Sequence, residues 1–170
     1  MYLSVNKKYG SFDSDLAKSE KNDCMVRSVA SAAGVTYRTA HNFCKNEFSR
    51  EDKKGTNNFI ISTQMLNAEK TGIELEGKKF DVKVLGRGRV KNRYKLYGEI
   101  IYRQKTLKSF IQDNPKGTYL VMIAKHALCV KDGEVFDWAS NKFKPTTKVQ
   151  AAYELKEKSE SNGYQLNLFE

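Results

Sequence analysis

Apolar residues at Val26, Val29, Ala30 and Ala33 follow the helical period and stop at Gly34, the pattern of a buried helix closed by a left-handed residue. A second helical stripe, Tyr37, Ala40, His41, Cys44 and Phe48, comes next, and a polar loop then runs through residues 50–58. The spacing predicts a third helix over residues 60–70, with Ile61, Met65 and Ala68 inward and Gly72 as its stop. Beyond Gly72 the period shortens to two, and Phe80, Val82 and Val84 alternate with polar residues as in a strand. Residues 106–113 predict a short helix ended by Asn114-Pro115. The apolar run Tyr119–Ile123 continues into His126–Val130, meets Asp132-Gly133, and resumes at Glu134–Trp138. Residues 149–155 predict a last strand, and residues 1–7 alternate like a strand. Helices first and antiparallel strands afterwards define the α+β class. The chain has no internal repeat.

Asp-Gly between apolar strands is a strong signal for a two-residue hairpin turn. A turn at Asp132-Gly133 pairs Lys131 with Glu134, Val130 with Val135, Leu128 with Asp137 and His126 with Ala139. Alternation then puts His126, Leu128, Val130, Val135 and Asp137 on one face. His126 and Asp137 become diagonal neighbours, roughly 7 Å apart at the backbone and within reach of each other's side-chain ends. An imidazole that donates one N–H to a carboxylate presents its other nitrogen as a base, which a cysteine nucleophile requires.

Asn22-Asp23 reads as the N-cap of the first helix, which places Cys24 in the first turn. Unpaired N–H groups and the positive end of the dipole favour a thiolate there. The Asp23 carboxylate opposes this unless its charge is turned away into the cap. Taken singly, a buried cysteine or a strand histidine is ordinary core. Together with the hairpin register, Cys24, His126 and Asp137 form a candidate nucleophile, base and orienter.

The same residues carry a family resemblance. Asn22-Asp23-Cys24 opening a helix, then Gly117–Val121, His126-Ala127, Asp132-Gly133 and Asp137-Trp138, resembles the papain-like cysteine peptidases. The likeness is to small phage and bacterial members and to bacteriocin-processing peptidases that share an Asp-Cys at the helix start. It covers residues 20–140 and implies a papain-like fold in which N-terminal helices, the cysteine at a helix start, pack on an antiparallel sheet carrying histidine and aspartate. It implies the same three roles for Cys24, His126 and Asp137, and no cofactor or metal. In such families a glutamine about one and a half helical turns before the cysteine helps form the oxyanion hole. Residues 18–22 contain none, and Asn22 stands in its place beside the Cys24 backbone N–H.

Composition sets the outer limits. A chain of 170 residues is long enough for one domain with its own core, here residues 1–155. Three cysteines, many lysines, no apolar leader and no run of membrane-spanning length indicate a cytoplasmic protein, in the host cytoplasm if phage-encoded. The net charge of +10 concentrates in a basic loop whose Arg87, Arg89, Lys91 and Arg93 suit a nucleic acid or another acidic partner. The alternative is a solvated loop that serves solubility. His41 and Cys44, one turn apart, have the spacing of a metal pair, but two ligands are too few and core packing is the simpler reading.

Residues 156–163 are polar and charged, as in a flexible tether. Gln165, Leu166, Leu168 and Phe169 follow it and resemble the short peptide by which bacterial replication and repair proteins dock on the DNA sliding clamp. Three functions follow as expectations: a cysteine hydrolase cleaving a peptide or isopeptide bond through a Cys24 thioester; a catalytically degenerate papain-fold binding protein of DNA-associated machinery; and a cysteine-dependent deamidase or acyltransferase.

Overall fold

The computed structural model describes residues 2–6, 12–86, 91–138 and 141–159. A short helix α1 (Asp15–Ser19) precedes the buried helix α2 (Cys24–Ala33), α3 (Tyr37–Glu47) and α4 (Asn58–Thr71). The apolar spacings select the faces they bury: Val26, Val29, Ala30 and Ala33 in α2, Tyr37, Ala40, His41 and Cys44 in α3, and Ile61, Met65 and Ala68 in α4. Gly34 ends α2 at φ 64°, the left-handed conformation that glycine adopts without a steric penalty. Gly72 ends α4 at φ 73°, where a Cβ would approach the Phe80 carbonyl oxygen to 2.7 Å.

Among the described residues, nine strands follow or precede these helices: β1 (Val5–Asn6), β2 (Ile73–Leu75), β3 (Lys78–Gly86), β4 (Lys91–Leu96), β5 (Glu99–Gln104), β6 (Thr118–Ile123), β7 (His126–Lys131), β8 (Glu134–Phe136) and β9 (Ala151–Glu157). Seven of them form one mixed sheet in the order β1-β8-β7-β6-β9-β3-β2, in which β1 and β8 run parallel and the remaining neighbours antiparallel. Helix α5 (Leu107–Asp113) has Thr106 as its N-cap, with a reciprocal Thr106–Ser109 capping box.

Alternation along the central strands sorts two cores. Leu120, Met122, Ala127, Cys129 and Tyr153 pack with α1 to α4 on one face. Val121, Leu128, Val130, Val135 and Ala152 pack with Leu107 and Phe110 of α5 on the other. The architecture is α+β, with helices on both faces of a large sheet.

The turn at Asp132 (φ 47°) and Gly133 (φ 82°) gives the expected register, Lys131 with Glu134 and Val130 with Val135. Four expectations need correction. The run from Tyr119 to Val130 is two strands, because Ala124 and Lys125 (φ 57°) fold it into a second hairpin that pairs Ile123 with His126. Residues 91–95 are not loop but strand β4, paired with β5 in a separate two-stranded ribbon. The last strand extends to Glu157, pairing Lys156 with Asp81 and Glu157 with Phe80, so the domain reaches past residue 155. Asp23, finally, does not cap α2 with its side chain.

Candidate active site

Cys24 opens α2 and is half-buried against the helical core. Its neighbour Asp23, instead of capping, turns inward to accept bonds from Arg27 Nε (3.0 Å) and the Tyr37 hydroxyl (2.6 Å). The Arg27 guanidinium one turn along the same helix therefore balances the carboxylate beside the thiol. Burial and Asp23 together hold the Tyr37 proton firmly in place. Arg27 also lies over the Trp138 ring at 5.0 Å. This strut connects the residue before Cys24 with the residue after Asp137, so the two halves of the site share one support.

His126 opens β7, and its Nε2 lies 2.5 Å from Asp137 Oδ2. The sequence placed these two side chains within reach, and the structure brings them into contact. Asp137 is buried and also accepts from the Trp138 backbone N–H (2.7 Å) and from Asn141 Nδ2 (3.2 Å). Three donors fix that carboxylate, which in turn fixes the imidazole plane. Trp138 lies tilted against the ring at 5.6 Å, and Phe143 stacks on it at 5.9 Å.

Cys24 is the second group that acts on the His126 ring, and the two line the same cleft. With Nε2 held by Asp137, Nδ1 is the nitrogen left for the thiol. Burial disfavours charge on the ring, but the hydrogen bonds to Asp137 and Cys24 and the attraction of both groups outweigh it, raising His126 from 6.5 to about 9. The ring is an imidazolium at neutral pH. Cys24 is half-buried, whereas Cys44 and Cys129 are fully buried; burial pushes these two thiols up to about 12.

Cys24 and His126 line one open cleft of about 470 Å³ together with Asn22, Met25, Thr56, Asn57, Ile61, Met122 and Lys125. Asn22 is at the rim in a left-handed conformation (φ 52°), and its Nδ2 donates to the Lys53 carbonyl at 3.2 Å. The wall formed by residues 55–58 was read from sequence only as polar loop. Asn57 within it caps α4 by accepting from the Phe59 and Ile60 N–H groups, and Thr56 Oγ1 is buried without a hydrogen-bond partner. Asn141, the third donor to Asp137, also escaped sequence reasoning, since no local pattern marks it.

Beside the cleft, Glu20, His41 and Asp52 bring one ligand atom each within 4.8 Å of one another. Arg50 pairs with Glu20 at 2.8 Å and Lys45 with Asp52 at 3.3 Å, so cations of the chain itself already balance these carboxylates. Burial works against the Glu20 charge, but Arg50 and the Lys53 N–H hold the carboxyl below its ordinary range. Cys44, the other half of the sequence-level metal pair, is in the apolar core.

Gln165, Leu166, Leu168 and Phe169 lie outside the described residues, as do Arg87 and Arg89. Lys91 and Arg93 are exposed on β4 and do not line the cleft. Among the described residues no helix is long and apolar enough to cross a membrane. No family model, curated protein or solved structure matches this chain.

Proposed function

We propose that the protein is a papain-like cysteine hydrolase acting on peptide or isopeptide bonds. The observation that carries the reading is the His126–Asp137 hydrogen bond at an open cleft that Cys24 lines together with His126. A protonated imidazole beside a thiol is the partner that stabilises the reactive thiolate. In the proposed cycle, Cys24 Sγ attacks the substrate carbonyl carbon and the carbonyl oxygen takes the negative charge. The Cys24 backbone N–H, unpaired in the first helical turn, donates to that oxygen, and Asn22 supplies a second donor if its amide leaves Lys53. Collapse of the tetrahedral intermediate breaks the C–N bond, and the leaving amine takes the His126 proton. Water then attacks the thioester, giving its proton to His126, and the acid departs as the Cys24 thiolate re-forms. The amides and apolar side chains along the cleft suit an extended polypeptide.

One observation favours a second reading. The Asn22 amide is bonded to Lys53, which leaves the oxyanion with a single preset donor, as in a fold kept for binding after catalysis was lost. Mass spectrometry after incubation with a peptide thioester separates the two. The hydrolase forms an acyl-enzyme on Cys24 that decays in water and is absent in Cys24→Ala. An acyl-enzyme that decays only when an amine is added identifies an acyltransferase. Failure to acylate Cys24 overturns both enzymatic readings. The tail remains a proposed sliding-clamp ligand, to be tested by binding of a peptide of residues 160–170 to a bacterial clamp, with Phe169→Ala expected to abolish it.

A further inference from the structure

Among the described residues, four of the six exposed large apolar side chains, Leu96, Tyr97, Ile100 and Tyr102, belong to the β4–β5 ribbon. The ribbon forms a sheet of its own, apart from the seven-stranded one, and turns at Tyr97 (φ 49°) and Gly98 (φ 82°). A lone hairpin is marginal in water, and one that exposes this much apolar surface has the character of a binding element.

Its register sorts the charge. Arg93 pairs with Tyr102, Lys95 with Ile100 and Lys91 with Gln104, and directly opposed residues share a face. One face therefore carries Lys91, Arg93 and Lys95 in a row about 7 Å apart, flanked by Tyr102 and Ile100 and free of carboxylates. The ribbon's acid, Glu99, is paired with Leu96 on the opposite face. Three aligned cations beside an aromatic and an aliphatic side chain fit a polyanion that also presents apolar edges, which is the chemistry of a nucleic-acid groove.

We infer that this ribbon is a DNA-binding element that enters the major groove of duplex DNA through its Lys91, Arg93, Lys95 and Tyr102 face. The B-form major groove admits a two-stranded ribbon, whereas the A-form RNA groove is too deep and narrow for side chains to read. The Tyr97 tip, 97 % exposed, leads the way in. This inference does not depend on the cysteine chemistry.

The test is fluorescence anisotropy of the full chain with a short labelled DNA duplex across a salt series. Three phosphate contacts predict a slope of log K against log salt of about −3. Arg93→Glu/Lys95→Glu is expected to weaken binding at least tenfold and to reduce the slope by about 2. The charge-matched control Lys70→Glu/Lys131→Glu, on exposed sites elsewhere, leaves both unchanged. Continued protection of the buried Cys44 and Cys129 from alkylation reports that the ribbon variant is folded. Equal losses in the two variants would mean a diffuse effect of net charge and overturn the inference. Equal binding of duplex RNA, equal displacement by polyglutamate, or no DNA binding at low salt would overturn it as well.

Discussion

The chain has two histidines, and both lie against carboxylates, but their surroundings differ in what they leave available. His126 is bonded to Asp137 at 2.5 Å and shares the wall of an open cleft with the Cys24 thiol. His41 is 5 % exposed, with Nε2 at 3.4 Å from Glu20 and 3.6 Å from Asp52 and no hydrogen bond to either. Arg50, itself buried, takes the Glu20 carboxylate that might have served His41. An acid next to an imidazole therefore does not make a catalytic pair. What distinguishes His126 is a third, reactive partner and access for a substrate. The His41 cluster connects the end of α1 to α3 and to the loop at residues 50–53, whose Lys53 carbonyl receives Asn22. It is read best as a brace behind the cleft.

The two environments are separated most sharply by removing each histidine's partnership. His126→Ala should slow iodoacetamide labelling of Cys24 by about 10- to 30-fold near neutral pH, because a thiol without its imidazolium is only a few per cent thiolate there, whereas His41→Ala should leave that rate within about threefold. Peptide mapping by mass spectrometry gives both rates, with Cys44 and Cys129 silent as internal controls. Arg50→Ala should act in the opposite way. It breaks a buried ion pair and costs roughly 3–5 kcal/mol of stability in urea unfolding, with the chemistry at Cys24 preserved under native conditions.

Asp137→Asn comes next in size. It keeps the shape but removes the charge that holds the imidazolium, so labelling of Cys24 should slow by about tenfold and stability fall by about 1–3 kcal/mol through the weakened hydrogen bonds. The pH dependence sharpens this. The folded His126 value, about 9, is above its ordinary 6.5, so its stabilising contribution is complete below pH 6.5 and is lost as pH rises through about 9. The stability gap between the native protein and His126→Gln should narrow over that window. Asn22→Ala has the smallest expected effect, within about threefold on alkylation, because its amide is bonded to Lys53 and not to the sulfur.

Sequence reasoning reached parts of this site because certain residues leave few choices. Asp132-Gly133 fixed a hairpin register, and that register alone selected Asp137 for His126. Gly34 and Gly72 marked the ends of two helices, the first of which carries a clear apolar stripe. Other features carry no local signal. The Ala124-Lys125 turn has neither glycine nor asparagine, so a strand boundary was hidden inside an apolar run. The role of Asp23 is set by Tyr37, fourteen residues away, and a nearby carboxylate in sequence looks like a cap. The ribbon's strands lack apolar alternation, and basic residues around a turn read as loop.

The most direct test of the three-residue site is the titration of the His126 ring, followed by the carbon-bound proton resonances of the imidazole in the native protein, Cys24→Ala and Asp137→Asn. A native value near 9 that falls toward 6.5 in each variant is the predicted result. A native value near 6.5 that is indifferent to Cys24→Ala would show that the thiol and the imidazole do not act together, and would contradict the account.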